Sequence, residues 1–238
     1  MTAVTVVYAL LYYLATAILV VGLALRIYQY ARTPQPLKIP TTPAPLTRAG
    51  VVWRLLKELI VFETLFKSNK WLWLFGWLFH FALLLALLHH LNTFFGSFGL
   101  ARPLTQYAGL GMALGLAGLW ARRFLVDRVR YISAPSDHLM LALLLAIVLS
   151  GMAMRYAAYP DIVAVRAFFA GLANFNWQPL PAQPLLLAHL ALVAILMAVF
   201  PISKLLHAPG LFFSPSFNQA DDARERRHTA GWTADTKD

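Results

Sequence analysis

Five of the seven histidines in this 238-residue chain sit in or at the ends of two long apolar runs: His80, His89 and His90 in one, His189 and His207 bounding the other. An imidazole in hydrocarbon is costly unless it is hydrogen-bonded, paired or bound to a metal, so these positions are read first as functional. Neutral imidazole can offer Nε2 to iron while Nδ1–H bonds a helix carbonyl, and two imidazoles on one haem leave no coordination position open. Such a centre carries electrons. Haem is therefore the leading reading of His80, His90, His189 and His207, with a transition metal, a proton relay and structural hydrogen bonding as alternatives.

The spacing of these residues suggests how they pair. At 1.5 Å per residue His80 and His90 stand about 15 Å apart along a helix, and His189 and His207 about 27 Å apart along a straight one. Antiparallel helices set His80 against His207 and His90 against His189, which places two b-type haems one above the other across a bilayer. Helix tilt, haem tilt and a kink expected at Pro201 have to absorb the difference of about 12 Å. Eighteen residues at about 100° each bring His207 back to the face of His189. Ten leave His90 about 80° from His80, whereas nine turn His89 to the opposite side, so His90 is preferred as ligand and His89 is left beside the ligands or facing a quinone. His138, next to Asp137, reads as a helix-terminus residue, and His228 as a solvated one.

The elements that must hold these histidines follow from composition. The chain is 60% hydrophobic and only 13% charged, with a mean hydropathy of +0.63, which excludes an ordinary water-soluble domain. Five stretches have the length of a membrane crossing: residues 4–28, 71–95, 104–124, 138–158 and 184–206. Backbone polar groups in lipid must be satisfied internally, so the expected fold is all-α, a bundle of five transmembrane helices. The first run has no basic segment before it and no clear cleavage site, and reads as a retained helix. Residues 1–210 form the expected membrane domain and 211–238 a C-terminal tail.

Charge gives an orientation and removes one function class. Eight Lys and Arg fall between Arg26 and Lys70, four between Arg122 and Arg130, and five from Lys204 onward, all on one side of a five-helix arrangement. Arg102, Arg155 and Arg166 fall on the other, where they could pair with haem propionates or anchor helix ends. This asymmetry predicts the N-terminus outside and the C-terminus in the cytoplasm. It also accounts for the net charge of +10 without nucleic acid, since there is no basic stripe or base-reading motif. With no cysteine in the chain, any iron–sulfur cluster must belong to a partner.

Three further features have readings of their own. Residues 51–66 mix apolar and charged positions at helical spacing and read as a segment lying on the membrane or on a partner, with a solvated connecting helix as the alternative. The loop 159–184 holds Phe168, Phe169, Phe175 and Trp177, suited to an interfacial belt or a quinone entrance. Gly109, Gly111, Gly115 and Gly118 line the third run, where they could serve helix contact or leave room for the edge of a macrocycle.

The histidine pairs at spacings of ten and eighteen, the five helices and the segment FPISKLLHAPG (residues 200–210) resemble the dihaem cytochrome b family typified by the gamma subunit of respiratory nitrate reductase. The tail LFFSPSFNQADDARERRH (residues 211–228) resembles, more narrowly, the DsrM-type membrane subunit of the sulfite-reductase-associated electron transport complex. The resemblance implies that His80, His90, His189 and His207 are the ligands of two bis-histidine b haems, with quinone or quinol as the exchangeable substrate. It implies a cytoplasmic iron–sulfur subunit resembling heterodisulfide reductase as redox partner. A multihaem cytochrome c, a periplasmic iron–sulfur protein and a second quinone-interacting membrane subunit would complete the assembly. The setting it implies is dissimilatory sulfur metabolism in a bacterial cytoplasmic (inner) membrane. Service to nitrate reductase or another iron–sulfur reductase is the nearer alternative, and a haem-free anchor or transporter the farther one.

Overall fold

The computed structural model describes residues 2–34, 40, 42–95 and 106–222, and within them the chain forms helices and turns with no strand. The helices are α1 (Ala3–Arg32), α2 (Arg48–Val61), α3 (Glu63–Ser68), α4 (Lys70–Phe95), α5 (Ala108–Leu125), α6 (Asp127–Ile132), α7 (Pro135–Ala153), α8 (Ile162–Ala173), α9 (Pro184–Val199), α10 (Ala208–Phe213) and α11 (Pro215–Asn218). A π-helical turn, Met154–Ala158, extends α7, and a 3-10 turn, Phe200–Ile202, extends α9.

Four helices are long and apolar enough to cross a membrane: α1, α4, α7 with its π-turn, and α9 with its 3-10 turn. The expected third crossing corresponds to α5, an 18-residue helix whose last turn carries Arg122 and Arg123. Its first expected residues, 104 and 105, lie outside the described residues, as do Arg102, His228 and the tail beyond residue 222.

Two clusters of buried side chains organise the bundle. In one, Tyr12 and Ala15 of α1 meet Val165, Phe168 and Leu172 of α8 and Leu186, Leu190 and Ala194 of α9. In the other, Phe79 and Ala82 of α4 meet Met112 and Leu116 of α5 and Leu144 and Val148 of α7. Packing of α7 against α9 joins the two, so α4, α5, α7, α9 and α1 follow one another in contact. Without water to drive apolar faces together, such contacts depend on close fit and on interhelical hydrogen bonds. The tyrosines of α1 supply the bonds: Tyr8 and Tyr12 donate to the carbonyls of Leu187 and Leu190 at 2.8 and 3.1 Å, and Tyr13 donates to that of Leu172 at 2.8 Å.

Close fit explains the glycines of α5. A Cβ on Gly115 would lie 2.9 Å from the backbone nitrogen of Phe79, one on Gly118 would overlap the ring of Phe75, and one on Gly111 would stand 3.0 Å from Ala82 Cβ. These three glycines are consumed by contact with α4. The macrocycle-edge reading does not hold for them, because α4 already fills the space. The segment read as a loop with an aromatic belt is corrected as well: residues 162–173 form α8, and Phe168 is completely buried in the α1–α8–α9 core.

Candidate functional site

The last expected crossing does not run to residue 206. Pro201 has no N–H to continue the helix and its ring crowds the preceding turn, so α9 stops at Val199 and a 3-10 turn ends at Ile202. The break is held from α1. Gly22 leaves the room that Pro201 occupies, since a Cβ there would be 2.5 Å from the proline Cβ, and Arg26 Nε donates to the Pro201 carbonyl at 3.2 Å. His207 therefore sits in the turn preceding α10, and the same-face argument for His189 and His207 fails because no continuous helix joins them. Instead, the turn delivers His207 to His80, with ring centres 5.6 Å apart and planes nearly perpendicular.

The turn that carries His207 is pinned by charge. Lys204 Nζ lies 2.9 and 3.0 Å from the two carboxylate oxygens of Asp137, and Arg123 Nη1 lies 3.4 Å from one of them. Asp137 is buried, and the same carboxylate accepts from the backbone N–H of Ala134 at the start of α7. The Lys204 carbonyl in turn accepts from His207 Nδ1 at 3.3 Å.

Hydrogen bonds settle which nitrogen of each candidate histidine is free. His80 Nδ1–H donates to the Gly76 carbonyl and His90 Nδ1–H to that of Ala86, both at 2.7 Å. A carbonyl only accepts, so Nδ1 carries the proton in each ring. Ser150 donates its hydroxyl proton to the Ala146 carbonyl at 2.7 Å, and its oxygen accepts His189 Nδ1–H at 2.9 Å. With His207 bonded to Lys204, all four rings leave the Nε2 lone pair uncommitted, and no described residue hydrogen-bonds it. His138 has the reverse tautomer. The indole N–H of Trp120, a donor only, gives a 3.0 Å bond to His138 Nδ1, so the proton of a neutral His138 ring is on Nε2. The bond also makes His138 part of the α5–α7 contact rather than a plain helix-terminus residue.

The second pair is looser. His189 is buried on α9, and His90 is exposed on α4. His89 lies beside His90, their ring centres 6.0 Å apart. Thus α4 meets the turn before α10 through His80 and His207, while its helix packing is made mainly with α5.

This donor set suits haem on two counts. His80 and His207, their ring centres 5.6 Å apart and each with Nε2 uncommitted, could hold an iron between them. Among the described residues no three His, Cys, Asp or Glu side chains converge as a metal-holding group, whereas a macrocycle needs only two axial ligands from protein.

Three residues around the site carry little signal in the sequence. Phe62 joins α2 to α3 in a left-handed conformation, φ 55°, that is rare for a bulky side chain, and its ring meets His80 edge-on at 5.1 Å. Ser150 and Gly151 interrupt an apolar helix, the first to bond His189 and the second to admit it, since a Cβ on Gly151 would lie 3.3 Å from His189 Cε1. The Ser-Gly pair was the one legible clue.

Comparison with known proteins adds the family. The nitrate reductase gamma subunit family matches residues 46–218, most of the chain and all four candidate histidines. This chain belongs to the nitrate reductase gamma subunit family. Within it, the chain is similar to the Hdr-like menaquinol oxidoreductase cytochrome b-like subunit of Archaeoglobus fulgidus, 37% identical over 92% of this chain and 81% of the relative. It is also similar to the protein of the same name from Archaeoglobus profundus, at 32% identity over 92% of this chain and 80% of the relative. As a nitrate reductase gamma subunit family member with four helices of membrane-crossing length and composition, the chain is a multi-pass membrane protein.

Proposed function

We propose that this chain is a dihaem membrane cytochrome b that passes electrons between the quinone pool and a cytoplasmic iron–sulfur subunit resembling heterodisulfide reductase. What supports the reading is the approach of His80 to His207, together with four candidate rings that each spend Nδ1 on protein and leave Nε2 free. Bis-histidine haem, when bound, supplies one-electron transfer without an open coordination position. The chain's own part is to orient the imidazoles. Gly76, Ala86, Ser150 and Lys204 fix their tautomers, and such bonds to the distal ring nitrogen raise ligand basicity and tune potential.

The proposed topology has five crossings, α5 being the third, with the N-terminus outside and the C-terminus in the cytoplasm of a cytoplasmic membrane. Residues 1–210 form the membrane domain and the remainder the tail. The names of the relatives favour menaquinol as electron donor and an Hdr-like complex as assembly. Dissimilatory sulfur metabolism is the proposed setting, with a multihaem cytochrome c, a periplasmic iron–sulfur protein and a second quinone-interacting membrane subunit as further partners. Family membership also supports a second reading, service to nitrate reductase or another iron–sulfur reductase.

The test is haem stoichiometry. The chain, produced with haem supplied and purified in mild detergent, is expected to hold two low-spin b haems, with His90→Ala and His207→Ala each removing one in reduced-minus-oxidised spectra. A folded, haem-free protein would overturn the proposal and favour an anchor or transporter.

A further inference from the structure

Helix α2 is amphipathic in an unusual sense: its apolar side is the open one. Val52, Trp53, Leu56, Leu59 and Ile60 fall within an arc of about 120° at 100° per residue, and all five are exposed, Trp53 and Ile60 each at 63%. The other side is occupied by the chain itself. Val51 is buried, the Arg54 guanidinium stands 5.2 Å from the ring centre of Phe217, and Arg54 also donates to the Pro43 carbonyl at 3.1 Å. The open stripe is therefore held outward.

Three observations identify what covers it. The indole N–H groups of Trp73 and Trp77 donate to the carbonyls of Val61 and Ile60 at 2.7 and 3.1 Å, which ties the end of α2 to a level three to seven residues into α4. That is about 5–10 Å along a membrane-crossing helix, the depth at which interfacial helices lie. Four of the seven tryptophans, Trp53, Trp71, Trp73 and Trp77, fall within this short stretch, as they do where headgroups meet acyl chains. Between residues 48 and 70, Arg48, Arg54, Lys57, Lys67 and Lys70 outnumber Glu58 and Glu63. Both acids are engaged locally, Glu58 on the Thr64 N–H and Glu63 with Lys57 and Lys67, so the segment carries a net positive charge.

We propose that α2 is an interfacial helix, its Val52–Ile60 stripe sunk among lipid chains and its flanking cations against anionic headgroups. Trp71 and Leu74 at the start of α4 are exposed as well. The assignment stands or falls without reference to haem.

The absence of cysteine makes a direct test possible. Nitroxide labels are placed singly by Val52→Cys, Leu56→Cys, Ile60→Cys and, on the opposite face, Arg54→Cys. The full chain is then reconstituted in phosphatidylcholine–phosphatidylglycerol vesicles. Power saturation should show the first three at least about threefold more accessible to oxygen than to a water-soluble nickel chelate, with no such preference and lower access to both reagents at position 54, which the chain itself covers. Nickel access at the stripe would mean a solvated helix, and exclusion of both reagents would mean cover by protein; either overturns the proposal. Should a label disturb folding, quenching by brominated lipid of the emission that Trp53→Phe removes gives the same answer, strong if the stripe is in lipid and absent if it is not.

Discussion

Replacing Asp137 by alanine should release the turn that carries His207, and the loss can be worked from the contacts. The backbone N–H of Ala134 would lose its acceptor, at about 1 kcal/mol for a helix N-terminal cap. The pair with Lys204, whose side chain is 74% exposed, contributes about 0.5 kcal/mol because water screens it. The longer contact to the less exposed Arg123 adds about 1 kcal/mol. The sum is roughly 2–3 kcal/mol, a fall on the order of 5–10 °C in Tm for a chain of this size. Asp137→Asn keeps an oxygen for the Ala134 N–H and loses only the charge pairs, so about half that fall is expected. The assay is thermal unfolding in detergent followed by circular dichroism, alongside haem occupancy of the loaded protein. Occupancy should fall first at the His80–His207 site, since Lys204 bonds His207. Equal destabilisation by Ala and Asn, or a Tm unmoved by either, would refute the division of roles given to this carboxylate.

Other perturbations follow from the same geometry. Ser150→Ala removes the acceptor of His189 Nδ1–H; it should cost about 1 kcal/mol and shift the midpoint potential of one haem while leaving the other unmoved, as redox titration would show. Gly115→Leu pushes a side chain into the Phe79 backbone and should destabilise by about 1–3 kcal/mol, whereas Gly210→Ala, which meets nothing within 4 Å, should be neutral in the same unfolding assay. Lys57 and Lys67 hold the Glu63 carboxyl down to about 2 from an ordinary 4.5. The triad's contribution is therefore complete above the ordinary value and is lost as pH falls through about 2. Hydrogen exchange at residues 63–68, corrected for intrinsic rates, should show this loss in the native chain, and Glu63→Gln should remove the pH dependence.

What could be read directly was whatever the solvent dictates. A backbone in lipid has to bond to itself, so apolar runs of crossing length had to be helices, and α1, α4, α7 and α9 lie where those runs lie. Histidines in such runs were conspicuous for the same reason, and their order along the chain was enough to anticipate that His80 meets His207, although a turn and not a helix delivers His207. Local chemistry also marked Pro201 as an interruption.

The tertiary structure decided what depends on a neighbour from elsewhere in the chain. Pro201 could have kinked a helix or ended it; it ends α9 because Gly22 and Arg26, some 175 residues earlier, accommodate its ring and bind its carbonyl. His138 read as a helix-terminus residue and His189 as a ligand, but the proton on each ring was decided by a neighbour: Trp120 donates to Nδ1 of His138, whereas Ser150 accepts from that of His189. The glycines of α5 could have faced a cofactor or a helix until α4 was seen against them. Periodicity assigns a residue to a face, but the partner across that face is chosen by packing of the whole bundle, and with it the proton on each ring.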